Sequence, residues 1–175
     1  MSEQETTADI GRLVSQLSSN DMLQRMKARE ALVELGRVAV PAVALLADAD
    51  DDHARWESAK TLSQIADPSS VDTLIHLLED SEDGTRWDAA LGLIAIGQPA
   101  VTPLLRAIIH RAADYKIIPG ARHVTHECTK TPWGGFLRPV YEALNSSPAR
   151  ESAPVAAQEA LQDWEYSDLS KSTST

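Results

Sequence analysis

A twelve-residue pattern occurs three times in this chain and constrains the fold more than any other feature of the sequence. The copies are RMKAREALVELG (25–36), RWESAKTLSQIA (55–66) and RWDAALGLIAIG (86–97). Their first residues, Arg25, Arg55 and Arg86, are 30 and 31 residues apart. A unit that recurs about every 30 residues is typical of a solenoid, in which each repeat packs against its neighbours.

The apolar positions of each copy predict the first helix of a pair. Small residues follow the arginine: Ala28, Ser58, Ala59, Ala89 and Ala90. A leucine comes next in every copy, at Leu32, Leu62 and Leu93, and a leucine or isoleucine follows three residues later, at Leu35, Ile65 and Ile96. Spacings of three and four residues place these side chains on one helical face. Asp52 and Asp83, each three residues before an arginine, are the predicted N-caps.

A second apolar column follows each turn and predicts a shorter partner helix. Its members are Val40, Val71, Val101, Val43, Leu74, Leu104, Ala44, Ile75, Leu105, Ala47, Leu78 and Ile108. Pro68 and Pro99 lie near the starts of these helices, where a missing N–H costs least. The predicted fold class is therefore all-α, an α-solenoid (superhelix) of antiparallel helix pairs.

The repeated residues also carry a family resemblance. The pattern D-x-x-R-W-x-x-A-x-x-L-x-x-I-(A/G), followed by V-x-x-L-(I/L), resembles HEAT repeats of the short, phycobilisome-lyase-like type, and it covers residues 21–112. The resemblance implies a right-handed superhelix of HEAT-like pairs. It does not fix a function, because such repeats occur in scaffolds, bilin lyase subunits, a DNA glycosylase family and a di-iron hydroxylase family.

Outside the regular repeats the chain is predicted to close the solenoid at both ends. We expect one domain over residues 1–165, followed by a disordered tail over residues 166–175. Its parts would be an N-terminal capping helix (8–18), repeats (21–48, 52–79 and 83–112), a divergent pair (117–146) and a closing helix (151–165). Pro119 would open the divergent pair, and Phe136–Leu144 would form its second helix. Ser152 is the predicted cap of the closing helix, with Pro154 in its first turn.

Charge and composition exclude several classes of function. The net charge is −10, and no cluster of Lys and Arg is present to neutralise phosphates, so we expect no nucleic-acid partner. No apolar run approaches the ~20 residues of a membrane span, and the N-terminus lacks the pattern of a signal peptide. A single cysteine, Cys128, suits a reducing compartment. These features predict a cytoplasmic protein that does not bind membranes.

The negative charge is concentrated in two loops one repeat apart. These eight residues are here called the acidic ridge: Asp48, Asp50, Asp51, Asp52, Glu79, Asp80, Glu82 and Asp83. Carboxylates before a helix N-terminus favour the helix dipole, but capping needs fewer of them. The ridge could attract a basic protein partner or could simply be solvated. It lacks the spacing of a calcium loop.

The surface of the second helices is the predicted partner-binding site. The resemblance implies that these helices line the concave face, whose outward positions are Leu45, Asp72, Thr73, His76, Thr102, Arg106 and His110. These positions vary between repeats while the core columns do not. Such variation is typical of a binding groove and also of ordinary solvent exposure.

Few residues suggest chemistry. His123 and His126 share a helical face and could share a metal, but Cys128 lies about 140° away from His123 and no second ligand pair follows. We therefore predict no metal, no cofactor and no catalytic residue. Trp56 and Trp87 are predicted to pack between repeats, and Trp133 to fold back onto the last helices.

The sequence thus predicts a non-catalytic scaffold or adaptor that binds another protein on its concave helix face. The first alternative is a bilin or tetrapyrrole lyase subunit, or a chaperone-like holder of such a pigment. The second alternative is a metal-dependent enzyme centred on His123 and His126.

Overall fold

The computed structural model describes the backbone of residues 3–172 and the side chains of residues 7–166. Within those bounds all regular structure is helical, as the repeat pattern predicts. Contacts divide the chain into two compact units, Met1–Ile96 (unit 1) and Gly97–Thr175 (unit 2). The single domain over 1–165 stays a prediction.

Unit 1 consists of long helices alternating with short ones. They are α1 (Glu3–Leu17), α2 (Met22–Leu35), α3 (Val40–Ala44), α4 (Asp52–Ile65), α5 (Val71–Leu77) and α6 (Asp83–Ile96). Short 3-10 turns flank α3 and α5, at Gly36–Ala39, Leu45–Asp48 and Pro68–Ser70. The long helix α4 packs against α2 and α6, while α3 packs against α4 and α5 packs against α6. The helices of unit 1 therefore form where the repeat pattern predicts them, and they pack on helices of the neighbouring repeat.

The predicted columns form the core of unit 1. Leu32, Leu62 and Leu93, at the same position of the three copies, are fully buried. Each contributes roughly 1.5–3 kcal/mol relative to an exposed leucine. The small residues let helices approach closely: a Cβ on Gly92 of α6 would lie 2.8 Å from Leu74 Cδ1 and 3.0 Å from Ser63 Cα. The period of the apolar residues thus sets both the helices and the contacts between them.

The cap of α4 lies one residue earlier than predicted. Asp51, and not Asp52, caps α4, because its carboxylate accepts the His53 N–H at 3.3 Å. The Arg55 N–H donates to the Asp51 carbonyl, so the first helical hydrogen bond starts at Asp51. Asp52 and Asp83 are instead the first residues of α4 and α6, where a carboxylate still interacts favourably with the helix dipole.

The turn after each first helix requires an unusual backbone conformation. Gly36 has φ 61° and ψ −135°, a combination open in practice only to glycine. Ala66, the equivalent residue after α4, has φ 51° and ψ 35° in the left-handed region. The third copy has Gly97, at φ 73°. The small residue at the end of each repeated pattern is therefore needed for the turn.

Unit 2 contains the remaining helices. They are α7 (Gln98–Arg111), α8 (Ile118–Thr129), α9 (Arg138–Asn145) and α10 (Ala149–Ser172). Pro119 is the second residue of α8, as predicted, and the short turn Gly134–Leu137 leads into α9. Helix α8 packs against α9, whereas α10 packs against both α7 and α9. The closing helix thus contacts the second helix of the third repeat, which the sequence did not predict.

The closing helix has different ends from those predicted. It begins at Ala149, where the Glu151 N–H donates to the Pro148 carbonyl. Ser152 is therefore not its cap; the Ser152 hydroxyl donates to the Ala143 carbonyl at 3.1 Å. Pro154 lies inside the helix. The helix continues to Ser172, although disorder was predicted from residue 166, and residues 173–175 of the predicted tail lie outside the described residues.

Candidate functional site

The partner-binding candidates of unit 1 lie on one surface of the second helices. Leu45, Asp72 and His76 are exposed and Thr73 is half-buried. Leu45 is 78% exposed. The core residues of the same segments, such as Val43 and Leu74, have no exposed surface. A rigid apolar core therefore presents these side chains to solvent.

Two further exposed residues extend this surface. Val38 is 63% exposed, and Pro41, at the same outward position as Asp72 and Thr102, is also exposed. With Leu45 they form what we call the apolar row, three residues at helical spacings of three and four. Val38 was not predicted, but the register of the core columns could have identified it, because Ser69 occupies the same position one repeat later and is also exposed.

A histidine–aspartate pair borders the apolar row. The His76 Nε2 atom lies 3.1 Å from the Asp48 Oδ1 atom, and both side chains are largely exposed. Asp48 belongs to the acidic ridge and follows Leu45 by three residues. The apolar row and the acidic ridge therefore lie next to each other in unit 1.

The repeat arginines hold the loops that precede the first helices, and two of these loops form the acidic ridge. Each guanidinium donates to a backbone carbonyl six residues earlier: Arg25 to Ser19 (2.6 Å), Arg55 to Ala49 (3.0 Å) and Arg86 to Asp80 (2.6 Å). In the sequence these arginines mark the start of each copy, and their contacts were not predicted. Their structural role explains why an arginine stands at the same position after the loop in each repeat.

Asp80 has a structural role within the acidic ridge. It accepts hydrogen bonds from the Arg55 Nε at 2.6 Å and from the Glu82 N–H at 2.8 Å. Burial alone would raise the pKa of Asp80, but the hydrogen bond from Arg55 and that from Glu82 outweigh it and hold the pKa below its ordinary value. The same hydrogen bond raises the pKa of Arg55. Asp80 thus links two consecutive loops.

The other acidic residues differ in what they contact. Asp51 caps α4, and Asp83 pairs with Arg86. Asp50 and Glu82 have exposed side chains. The ridge therefore combines structural carboxylates with carboxylates that face solvent.

The candidates of unit 2 lie on α7. Thr102 is half-buried, while Arg106 and His110 are exposed. The Arg106 guanidinium lies 3.5 Å from the Glu165 carboxylate of α10, and both side chains are more than half exposed. Arg106 is thus bordered by the closing helix.

The histidines and the cysteine of α8 do not form a catalytic arrangement. The His126 ring lies 4.9 Å from the Tyr141 ring, and its Nδ1 atom is 3.2 Å from the Glu127 carboxylate. Cys128 is buried, and burial, assisted by the charge of Glu127, raises its pKa to about 11. A thiol with that pKa stays protonated at neutral pH and is a poor nucleophile. Among the described side chains no group of three or more His, Cys, Asp or Glu could hold a metal ion.

The tryptophans differ from one another. Trp133 folds back onto α10, as predicted, with its ring 6.2 Å from that of Trp164, which also stacks on Phe136. Trp56 is half-buried against its neighbours. Trp87, which was predicted to pack between repeats, is 55% exposed, so that prediction was wrong.

Comparisons with known proteins agree with the repeat pattern. The family model described as HEAT repeats matches residues 40–118. A chain of the complex of CpcE and CpcF of phycocyanin lyase from Nostoc sp. PCC7120 is 26% identical, with a TM-score of 0.57 over 86% of this chain and 98% of that chain. A designed armadillo repeat protein in complex with the peptide (KR)4 is 13% identical, with a TM-score of 0.40 over 87% of this chain and 99% of that one. No curated protein sequence matches this chain. No helix in the described part of the chain is long and apolar enough to cross a bilayer.

Proposed function

We propose that this chain, which belongs to the HEAT-repeat proteins, is a non-catalytic scaffold that binds a partner protein through the exposed surface of its second helices. The observation that carries the proposal is the apolar row, in which Val38 and Leu45 are 63% and 78% exposed. Exposed apolar residues that adjoin one another and are rimmed by polar groups are typical of interaction sites. The underlying core is closely packed, so little ordering is needed on binding.

The acidic ridge supports a partner with a basic surface. Its solvent-facing carboxylates, including Asp48, Asp50 and Glu82, would attract a basic protein over distances of about a Debye length, ~10 Å at 0.1 M salt. Complementary charge of this kind mainly accelerates association. A cytoplasmic location is part of the proposal, and the free thiol of Cys128 is compatible with it.

The test of the proposal is affinity capture from a native lysate, followed by mass spectrometry of the bound proteins. A Leu45→Asp variant should lose a specific partner that the wild type retains, because the substitution places a charge in the apolar row. The control is Val155→Asp, since Val155 is also exposed but lies on α10. Arg106→Glu tests the α7 candidates in the same way. A partner retained by Leu45→Asp would contradict binding at the apolar row.

The contribution of the acidic ridge is tested once a partner has been captured. Asp50→Asn with Glu82→Gln should slow association at low salt and leave the dissociation rate nearly unchanged. Asp51, Asp80 and Asp83 are kept, because they cap a helix or pair with arginines. An association rate equal to that of the wild type at low salt would show that the ridge does not steer the partner.

A second candidate function rests on the similarity to a chain of the CpcE–CpcF complex. The 26% identity and the coverage of 98% of that chain favour a role as a lyase subunit or holder of a bilin or other tetrapyrrole. Such a protein would carry pigment or acquire it on addition of a free bilin. Visible absorption of the protein after incubation with biliverdin distinguishes the two candidates, because a scaffold would show no bound pigment after gel filtration.

A further inference from the structure

We propose a second docking surface, on the first helices of unit 1, that binds an amphipathic helix carrying Lys or Arg from a partner protein. This surface, here called the tryptophan face, consists of Met26, Trp56 and Trp87 with the residues one turn before and after the tryptophans: Asp52, Asp83, Lys60 and Leu91. It goes beyond the proposed function, because its apolar residues lie on the first helices and not on the apolar row; it shares only Asp52 and Asp83 with the acidic ridge.

The middle of the tryptophan face is a row across three adjacent helices. Met26, Trp56 and Trp87 each follow the repeat arginine directly, so they occupy the same position on α2, α4 and α6. Helix α4 packs against both α2 and α6. Met26 and Trp87 are exposed and Trp56 is half-buried. Large apolar side chains therefore recur at one position of every first helix in the unit.

Acidic residues border the row on one side and a mixed pair borders it on the other. Asp52 and Asp83 lie four residues before the tryptophans, and the Asp83 side chain is almost fully exposed. Lys60 and Leu91 lie four residues after them, and Leu91 is exposed. Residues four apart share a helical face, so a molecule lying along α6 meets a carboxylate, an indole ring and a leucine in succession.

The chain itself shows which chemistry this surface accepts. The Lys60 ammonium lies 4.2 Å from the centre of the Trp56 ring, a cation–π contact. Burial raises the pKa of Asp88, and the charge of Lys60 and the Trp56 side chain oppose that effect, so the Asp88 carboxylate lies near both. At this position, then, a primary ammonium rests on an indole beside a carboxylate.

Trp87 occupies the same position one helix further along, and it is more exposed than Trp56. Trp87 is 55% exposed, the Asp83 side chain four residues before it is exposed although it pairs with Arg86, and Leu91 four residues after it adds an apolar contact. A Lys or Arg side chain from a partner could stack on the exposed part of the ring and interact with Asp83. An apolar residue one turn away on the same partner helix would then pack on Leu91. An acidic or uncharged partner helix would lack the first of these contacts.

A pair of synthetic peptides tests the proposal on the full-length chain. The first is an amphipathic helix of about four turns with Leu at spacings of three and four and Lys elsewhere, and the second has Glu in place of Lys. Binding is measured by fluorescence anisotropy of the labelled peptides. We expect the Lys peptide to bind and Trp87→Ala to weaken it at least about tenfold, the effect of a buried aromatic anchor. Trp87→Phe should retain part of the affinity, because it keeps an aromatic face.

The control variant separates this surface from the one proposed above. Leu45→Ser removes the most exposed member of the apolar row and should leave the affinity for the Lys peptide unchanged. Because Trp87 and Leu45 are both largely exposed, neither substitution should unfold the chain, and far-UV circular dichroism checks this. Three results would overturn the proposal: no binding of the Lys peptide up to about 1 mM, equal affinity of wild type and Trp87→Ala, or equal affinity for the Lys and Glu peptides. Loss of binding in Leu45→Ser alone would assign the peptide to the apolar row instead.

Discussion

At the scale of single residues, charged side chains connect consecutive repeats. Glu57 of α4 is only 1% exposed and lies 2.5 Å from the Arg29 Nη1 atom and 3.5 Å from the Arg25 Nε atom, both on α2. One repeat later, Asp80 accepts a hydrogen bond from Arg55. In both cases a carboxylate of one repeat pairs with an arginine of the preceding repeat. These pairs specify how the repeats stack, which apolar packing alone specifies less strongly.

Removal of the Glu57 carboxylate should destabilise the chain strongly. In Glu57→Ala, Arg25 and Arg29 keep their charges in a largely buried position without their partner. We expect the free energy of unfolding to fall by about 3 kcal/mol, the lower end for breaking a buried pair, because both arginines retain some exposure. Urea denaturation measures the change, with Glu30→Ala on the exposed side of α2 as the control, expected within about 0.5 kcal/mol of wild type. If the free energy of unfolding falls no more in Glu57→Ala than in Glu30→Ala, the Glu57 carboxylate contributes no more to stability than an exposed one.

The contribution of Asp80 should depend on pH. Its pKa is held below the ordinary value in the folded state, so its charged form is favoured by folding. The stabilisation is therefore complete above the pKa of the unfolded chain, about 3.9, and is lost as the pH falls through the folded value. Asp80→Asn should be less stable than wild type at pH 7, and the difference should shrink as the pH is lowered below about 4. Urea denaturation at pH 7, 4 and 3 measures this; Asp72→Asn, on an exposed side chain, is the control. A difference that is the same at all three pH values would contradict the electrostatic origin.

At the scale of helices, the first and second helices of the repeats could be predicted because their signals are local. Leu32, Leu62 and Leu93 each lie on the apolar face of their own first helix, and burial of that face needs only the neighbouring repeat. The packing of α10 against α7 was not predictable in this way, because it depends on which surface a distant segment covers. Trp87 was assigned to the core for the same reason: its residue type indicates burial, but its position on the exposed side of α6 follows only from the packing. Of the apolar row, Leu45 was predicted at an outward position, whereas Val38 was not, because it lies before the apolar column that marks the second helix.

The turn before α9 provides a matched pair of glycines. A Cβ on Gly134 would lie 1.8 Å from the carbonyl oxygen of Cys128, so an alanine there must displace the backbone at the end of α8. Gly135 has no atom within 4 Å of the same position. We expect Gly134→Ala to lower the free energy of unfolding by about 1–3 kcal/mol or more, the range for overpacking. Gly135→Ala should be neutral or slightly stabilising, because alanine restricts the unfolded chain. Thermal unfolding of both variants measures the contrast, and similar melting temperatures would contradict a close approach at Gly134.

At the scale of the whole chain, charge is distributed very unevenly. The net charge is −10, and residues 48–88 contain twelve acidic residues and three basic ones. Two of those basic residues, Arg55 and Arg86, already hold loop carbonyls and carboxylates within unit 1. The remaining carboxylates repel one another in the folded state more than in the expanded unfolded chain. The surface that is proposed to attract a basic partner therefore carries a cost in stability.

This cost should be visible in the salt dependence of folding. Asp50→Asn with Glu82→Gln removes two exposed charges of the acidic ridge and leaves the cap at Asp51 and the pair of Asp80 with Arg55 unchanged. At low salt the double variant should melt about 1–2 °C above wild type, because each exposed charge interaction is worth a few tenths of a kcal/mol. At about 1 M salt, where the Debye length is ~3 Å, the two melting temperatures should coincide. The control replaces Glu142 and Glu159 of unit 2 with Gln and should change the melting temperature less at low salt. If the ridge variant melts at or below the wild-type temperature at low salt, the carboxylates do not repel one another appreciably, and the ridge imposes no cost on folding.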